Sequence, residues 1–309
     1  MAKEPFMLAA DLAKIGFDFS KVAFPKYMSP KIDGFRTTPL DGTMMSRNRK
    51  PLNNRFVQKE LCGILHAPLD GEIVVGSATE PGVFGRTQSG VKAAHGEPDF
   101  KLHVFDTIVM GYTFRERQLL LKQVLKELRH PRLVLVPQKL VHNAAEAIET
   151  EVEFLEMGYE GGMLRAPNGH YRLGRSTPTE DDLWKLKRYI EGEGRVLRLE
   201  EAEYNGNEAF KDAIGRTKRS SAKAGKSGNG MVGAVVINDP KWGEMRLSPG
   251  IMTHAERRLN WEYQNADAGT GLRLIKGSLI GKKVQWRAFG YGVKDKPRFP
   301  RFYGLVADK

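Results

Sequence analysis

The run Tyr27-Met28-Ser29-Pro30-Lys31-Ile32-Asp33-Gly34-Phe35-Arg36 decides how this chain is read. Pro30 biases Ser29 toward extended backbone, and Asp33-Gly34 is turn chemistry. Lys31 is therefore expected at a strand end facing a cleft, with Arg36 on the next extended piece. An amine becomes a nucleophile when it loses its proton, which neighbouring cations or desolvation make easier. Arg36 offers a planar fork for phosphate or ribose oxygens. Alone, the hexapeptide also reads as a surface turn, so the rest of the chain must decide.

Residues 27–47 alternate as strands with turns at Asp33-Gly34 and Asp41-Gly42, and Arg47 ends the segment. Upstream, Leu8 to Leu12 is a short helix-like piece. Downstream, Val57 to Leu65 has helical spacing. Leu69-Asp70-Gly71-Glu72 feeds a buried-type strand, and Glu72 at its mouth can face ribose hydroxyls or a divalent cation. The stretch Lys101 to Ile108 is another strand, whose Phe105 either stacks on a nucleobase or belongs to the core. Thr113 to Leu128 reads as an amphipathic helix with a Thr113–Glu116 capping box. A strand over Val134 to Leu140 and a helix over Ala144 to Met157, stopped by Gly158, follow.

In Gly158-Tyr159-Glu160-Gly161-Gly162 the glycines permit close backbone approach and present one glutamate within a strand. Tyr171 to Ser176 places Arg172 and Arg175 around a turn. Leu183 to Tyr189 puts Lys185 and Lys187 on one strand face and Leu186 on the other. Two adjacent ammonium groups are tolerated where an anion lies between them; lysines blunting an edge strand are the alternative.

From Ile190 the pattern shifts to short strands, at 195–199, 231–237, 244–248 and 282–289, with a helix over Thr253 to Glu262. This suits a small barrel such as an OB-fold. The segment 211–227 holds six Lys or Arg and one acid among Gly and Ser. It is too polar for core and reads as a mobile loop or hairpin that orders against phosphate.

The chain has 309 residues, room for two domains, and a net charge of +12, which points to a polyanionic partner, nucleic acid first. Its single cysteine, Cys62, excludes an intramolecular disulfide and any multi-cysteine zinc site. No apolar run approaches the roughly 20 residues of a membrane span, and no signal-peptide core follows Met1. A cytoplasmic setting is expected. The histidines lack ligand spacing, and no P-loop motif occurs.

In order, these stretches resemble the motif set of the covalent nucleotidyltransferases. Lys31-Ile32-Asp33-Gly34-Phe35-Arg36 is similar to the KxDGxR nucleophile motif, and Asp70-Gly71-Glu72 to the DGE motif. The Val104-Phe105-Asp106, Tyr159-Glu160-Gly161-Gly162 and Trp184-Lys185-Leu186-Lys187 stretches resemble the next three. Lys294 to Phe302 is similar to the last motif of ATP-dependent DNA ligases, and the likeness is strongest to the small viral and phage enzymes.

The resemblance implies an α+β chain: an adenylation (nucleotidyltransferase) domain of antiparallel sheets with flanking helices over 1–189, then an OB-fold β-barrel domain over 190–309. A basic latch-like insertion would lie near 203–230. It implies nick sealing in three steps. Lys31 takes AMP from ATP, AMP passes to a 5′-phosphate, and the 3′-hydroxyl attacks that phosphate. Lys185 and Lys187 would neutralise the α-phosphate and lower the pKa of Lys31. Glu72 and Glu160 would hold Mg²⁺ (or Mn²⁺) or ribose hydroxyls, and Phe105 would stack on adenine. Arg36, Arg47 and Arg175 would grip AMP and the nick phosphate, with Asp33 orienting attack. Lys294, Lys296 and Arg298 would orient pyrophosphate. Lys211, Arg216, Lys218, Arg219, Lys223 and Lys226 would meet nicked duplex DNA. A monomer is expected. The β-rich second half and the Arg298-Phe299-Pro300 ending favour DNA over two relatives, an RNA ligase and an mRNA-capping guanylyltransferase. A non-catalytic OB-type binder is the third alternative.

Overall fold

The computed structural model describes residues 6–211, 217–270, 278–291 and 296–306; the side chains of 265–270, 289–291 and 298 lie outside that description. The described residues divide into two compact units, one ending at Arg188 and the other beginning at Tyr189.

The first unit holds two five-stranded sheets. One has the order Ala10–Asp11, Leu183–Leu186, Gly162–Arg165, Lys26–Pro30, Lys139–Val141. Its inner three strands pair antiparallel. Met28, Leu164, Trp184 and Leu186 point into a core closed by Phe154 and Ala147 of the helix Ala144–Glu156. The other has the order Thr43–Ser46, Phe35–Leu40, Leu69–Val75, Phe100–Thr107, Leu133–Leu135. Its core is Met44, Ile73, Leu102 and Val104 against Val57, Leu61 and Leu121.

The expected strands over 27–47 are present, but only Phe35–Leu40 and Thr43–Ser46 pair as a hairpin, because Lys26–Pro30 joins the other sheet. The strands at 69–75 and 100–107 are present as well. The helix Phe114–Leu128 starts on a complete Thr113–Glu116 capping box. Three readings need correction. Leu8 to Asp11 is not helical, and a 3-10 turn starts only at Leu12, over Leu12–Ile15. Met7–Leu8 pairs with Gly174–Arg175 and Ala10–Asp11 with Trp184–Lys185, so sheet pairing overrides local propensity. The strand expected over 134–140 is two strands belonging to different sheets. Pro137, which has no N–H to donate, sits where the chain changes sheet. Residues 77–99, left without an element, contain the helix Val83–Lys92. Its glycines mask a buried row of Val83, Thr87 and Val91 at fourfold spacing.

The second unit is one five-stranded antiparallel sheet in the order Gly243–Leu247, Lys226–Asp239, Tyr189–Asn205, Lys283–Tyr291, Pro297–Leu305. The last strand is new relative to the sequence reading, and the helix runs longer than expected, His254–Thr270. The two longest strands continue to a base pairing Asn205 with Lys226. Beyond it Ala209–Lys211 pairs with Thr217–Arg219, so the basic segment is a hairpin extension. Asparagines stitch its base. Asn205 Nδ2 donates to the Ser220 carbonyl at 2.8 Å, and Asn207 Nδ2 to that of Ala222 at 2.8 Å.

Candidate active site

A cleft of ≈ 770 Å³ lies between the two sheets of the first unit. One wall comes from the Lys26–Pro30 strand and its continuation to Lys31, with Met163, Arg165, Leu183 and Lys185. The other comes from Phe35, Arg36, Arg47, Glu72 and Phe105, and the helix Val83–Lys92 adds Phe84, Gln88 and Lys92.

Lys31 leaves its strand under backbone control. Its N–H donates to the Gly161 carbonyl at 2.8 Å, and its own carbonyl accepts from Glu160 N–H at 3.3 Å. That places Glu160 against the amine, and Lys31 and Lys187 both donate to its carboxylate. Two glycines allow this. A Cβ at Gly34 would fall 2.2 Å from the Ile73 carbonyl oxygen, so the turn after Lys31 can lie flat on the Glu72 strand. At Gly161, φ is +141° and a Cβ would fall 2.2 Å from the Leu186 carbonyl oxygen.

Burial works against the Lys31 ammonium, but Glu160, Glu72 and Asp33 outweigh it, so its pKa is raised. The expected lowering by Lys185 and Lys187 is thus overturned: the amine is a locked ammonium here. The two cations that were to flank an anion each have their own, because Lys185 pairs with Asp11 at 2.9 Å and Lys187 with Glu160. Burial opposes ionisation of Glu160 as well, yet Lys31 and Lys187 hold its pKa below the ordinary carboxylate value.

Glu72 behaves oppositely. Burial pushes its pKa up to about 8, against the pull of Lys31 and Arg36 and with help from Asp33 and Glu160. A folded-state pKa above the ordinary value means the folded chain keeps a proton that the unfolded chain releases. Relative to Glu72→Gln, the wild type should therefore lose stability as pH rises from about 4.5 to about 8. Melting temperatures of both proteins across that range check this.

Arg36 is more committed than the sequence suggests. Its Nε and Nη2 donate to Asp70 Oδ1 and Oδ2 at 2.9 and 2.6 Å. Its guanidinium lies 4.5 Å from the Phe6 ring centroid and 5.3 Å from that of Phe105. Arg47 has its pKa lowered by burial and by Arg36 and Arg175, so three like charges face one region. Arg175 is anchored through Nη1 to the Ala9 carbonyl at 2.8 Å. Below them Arg165 and Arg117 both bind the fully buried Asp106. Asp70 and Asp106 thus face three guanidiniums, Arg36, Arg117 and Arg165. Of these, Arg36 and Arg165 line the cleft, a placement suited to an anion.

The structure brings Lys31, Arg36, Arg47, Glu72, Phe105, Arg175 and Lys185 to the cleft lining. Glu160 and Asp33 join through contact or charge interaction with Lys31, and Lys187 through its ion pair with Glu160. Arg298's side chain, Lys294 and Arg216 lie outside the described residues. Lys296, Lys211, Lys218, Arg219, Lys223 and Lys226 lie in the second unit. Sequence reasoning missed Asp70, Arg165 and Tyr171. The pattern within Asp70-Gly71-Glu72 could have flagged the first, because a strand turns inward alternately. Arg165 carries no local signal.

No group of three or more His, Cys, Asp or Glu that could hold a metal occurs among the described residues. Two hard carboxylates, Glu72 and Glu160, still suit Mg²⁺, which keeps water ligands and takes others from substrate phosphates.

A lysine, paired acids, an aromatic edge and clustered arginines meet in one cleft, an arrangement suited to nucleotide transfer. The model of the ATP dependent DNA ligase domain matches residues 6–187. A structure from a study of Lig E DNA ligases, described as DNA binding with a minimal scaffold, is 22% identical. It covers 97% of this chain and 98% of its own, with a TM-score of 0.69. The Chlorella virus DNA ligase-adenylate is 25% identical, with 100% of both chains covered and a TM-score of 0.53. A structure called Pmar-Lig is 22% identical, covering 100% of this chain and 69% of its own, with a TM-score of 0.70. No curated protein sequence matches. The chain belongs to the ATP-dependent DNA ligases. It seals nicks in duplex DNA through an enzyme–AMP adduct, using ATP and a divalent metal.

Proposed function

We propose that Lys31 is the adenylated residue and that the cleft of the first unit performs the adenylation chemistry. The observation that carries this reading is the pairing of Lys31 with Glu160 at the mouth of a cleft also lined by Glu72, Phe105 and Arg36. Attack requires Lys31 to leave Glu160 and release its proton to solvent. Glu160 keeps Lys187 as a cation, so its charge stays compensated when the amine departs. The Lys31 Nζ then bonds to the α-phosphorus as the bond to pyrophosphate breaks. Lys185 and the Arg36–Arg47–Arg175 cluster balance phosphate charge. Phe105 supplies a ring face for adenine and Asp33 orients attack. A divalent metal held by Glu72 and Glu160 would spread charge in the transition state.

The second unit supports an OB-type reading for residues 190–309. Its strands follow the order expected of such a barrel, with the helix His254–Thr270 between the third and fourth. The first and last places in the sheet order also meet through a parallel Ser248–Arg301 bridge. Ser248 N–H donates to the Pro300 carbonyl at 2.9 Å, and Phe302 N–H to the Ser248 carbonyl at 2.9 Å.

The hairpin is the proposed DNA latch. Tyr204 and Phe210 are more than half exposed among Lys211, Lys218 and Arg219, a pattern of cations and aromatic faces suited to duplex phosphates and bases. Deleting residues 211–227 should weaken nicked-duplex binding by at least about tenfold and flatten its salt dependence, since phosphate contacts set that slope. Adduct formation should change by less than about threefold. A gel-shift titration at several salt concentrations checks both; unchanged binding would rule out the latch.

A further inference from the structure

We propose that Tyr171 is a positioning residue for ligation, acting through Asp70 to fix the guanidinium of Arg36 in the cleft. This rests on the reading of Arg36 as a ligand-contacting group. Tyr171 is buried, 101 residues from Asp70 in sequence, and its hydroxyl donates to Asp70 Oδ2 at 2.7 Å. The Met7 N–H donates to the same phenol oxygen at 3.3 Å, so donor and acceptor capacity are both used.

Asp70 is fully buried and accepts from three groups: Arg36 Nε, Arg36 Nη2 and Tyr171. A buried carboxylate at this density of donors is rigid, and rigidity passes to the guanidinium it grips in two-point fashion. The Phe6 and Phe105 rings lie close to the same group, at 4.5 and 5.3 Å. Two of the three guanidinium nitrogens are thus fixed on the protein, and Nη1 is left for a ligand oxygen. The N-terminal segment completes the arrangement, because Met7 holds Tyr171 and Ala9 holds Arg175. Two cleft arginines thereby take their positions from one short stretch of chain.

Tyr171→Phe removes a single oxygen atom from this system. Positioning is tested by a double-mutant cycle with Arg36→Ala, read by single-turnover rates of adduct formation and of sealing. Tyr171→Phe should lose about tenfold in whichever step Arg36→Ala slows. In the Arg36→Ala background it should lose less than about twofold, because nothing remains to position. Equal losses in both backgrounds would mean a general structural role and overturn the proposal. If Arg36→Ala slows neither step, the contact role of Arg36 fails first, and the positioning role falls with it. Asp70→Asn, which keeps shape and removes charge, provides the same cycle should Tyr171→Phe not fold; additivity with Arg36→Ala would again overturn the proposal.

Discussion

Lys31→Ala should form no enzyme–AMP adduct with ATP, a loss on the order of 10⁴-fold or more, as the proposed role of Lys31 as the covalent nucleophile requires. The reason is chemical. Lys185 is held by Asp11, and Lys187 by the Glu160 it shares with Lys31, both at another strand end, so neither should take over at the same phosphorus. The variant should fold, because Glu160 retains Lys187 and the deleted side chain was partly exposed. It should also still join a nick whose 5′-phosphate already carries AMP, since the last step needs no lysine–phosphorus bond. Labelled ATP and a pre-adenylated nick separate the two outcomes. An adduct on this variant would place the nucleophile elsewhere.

Gly161→Ala should lower the rate less than Lys31→Ala does, and by a structural route. The added Cβ would meet the Leu186 carbonyl oxygen at 2.2 Å on backbone with φ +141°. The strained conformation and the clash together should cost about 3 kcal/mol, lowering the melting temperature by roughly 5–10 °C. Function should fall further than stability. Gly161 supplies the carbonyl that holds Lys31 N–H, and Glu160 next to it pairs with the lysine amine. Relief of the clash must shift both, and a displacement of about 1 Å at reacting groups costs about a hundredfold in rate. Adduct formation and a thermal melt on the same sample test this. A variant that melts low but adenylates normally would show that the strand junction does not govern the site.

The strands and turns around Lys31 were legible because Pro30, Asp33-Gly34 and the apolar alternation act locally. The helix Phe114–Leu128 was legible for the same reason, through Thr113 and Glu116. What the sequence hid was set by pairing across long separations. Met7–Leu8 and Ala10–Asp11 became strands because distant segments offered them edges. The helix Val83–Lys92 was obscured by Gly85 and Gly90, which weaken a helical pattern without forbidding it.

Motif likeness singled out Lys31, Glu72 and Glu160, which folding brings together, but not who pairs with whom. Two lysines on one strand face suggested a shared anion, whereas Asp11 comes from another strand altogether and takes Lys185. The expected depression of the Lys31 pKa failed for a related reason. Cations were counted from neighbouring sequence, while the acids that dominate, Glu160 and Glu72, arrive through folding. Asp70 and Tyr171 lie 101 residues apart, and no local pattern announces their contact.

The central claim is that AMP becomes bonded to one particular amine. Wild-type protein incubated with ATP and Mg²⁺, digested and sequenced by tandem mass spectrometry should carry one AMP on the peptide containing Lys31, at the Lys31 side chain. AMP found on Lys185, Lys187 or any other residue would contradict the account.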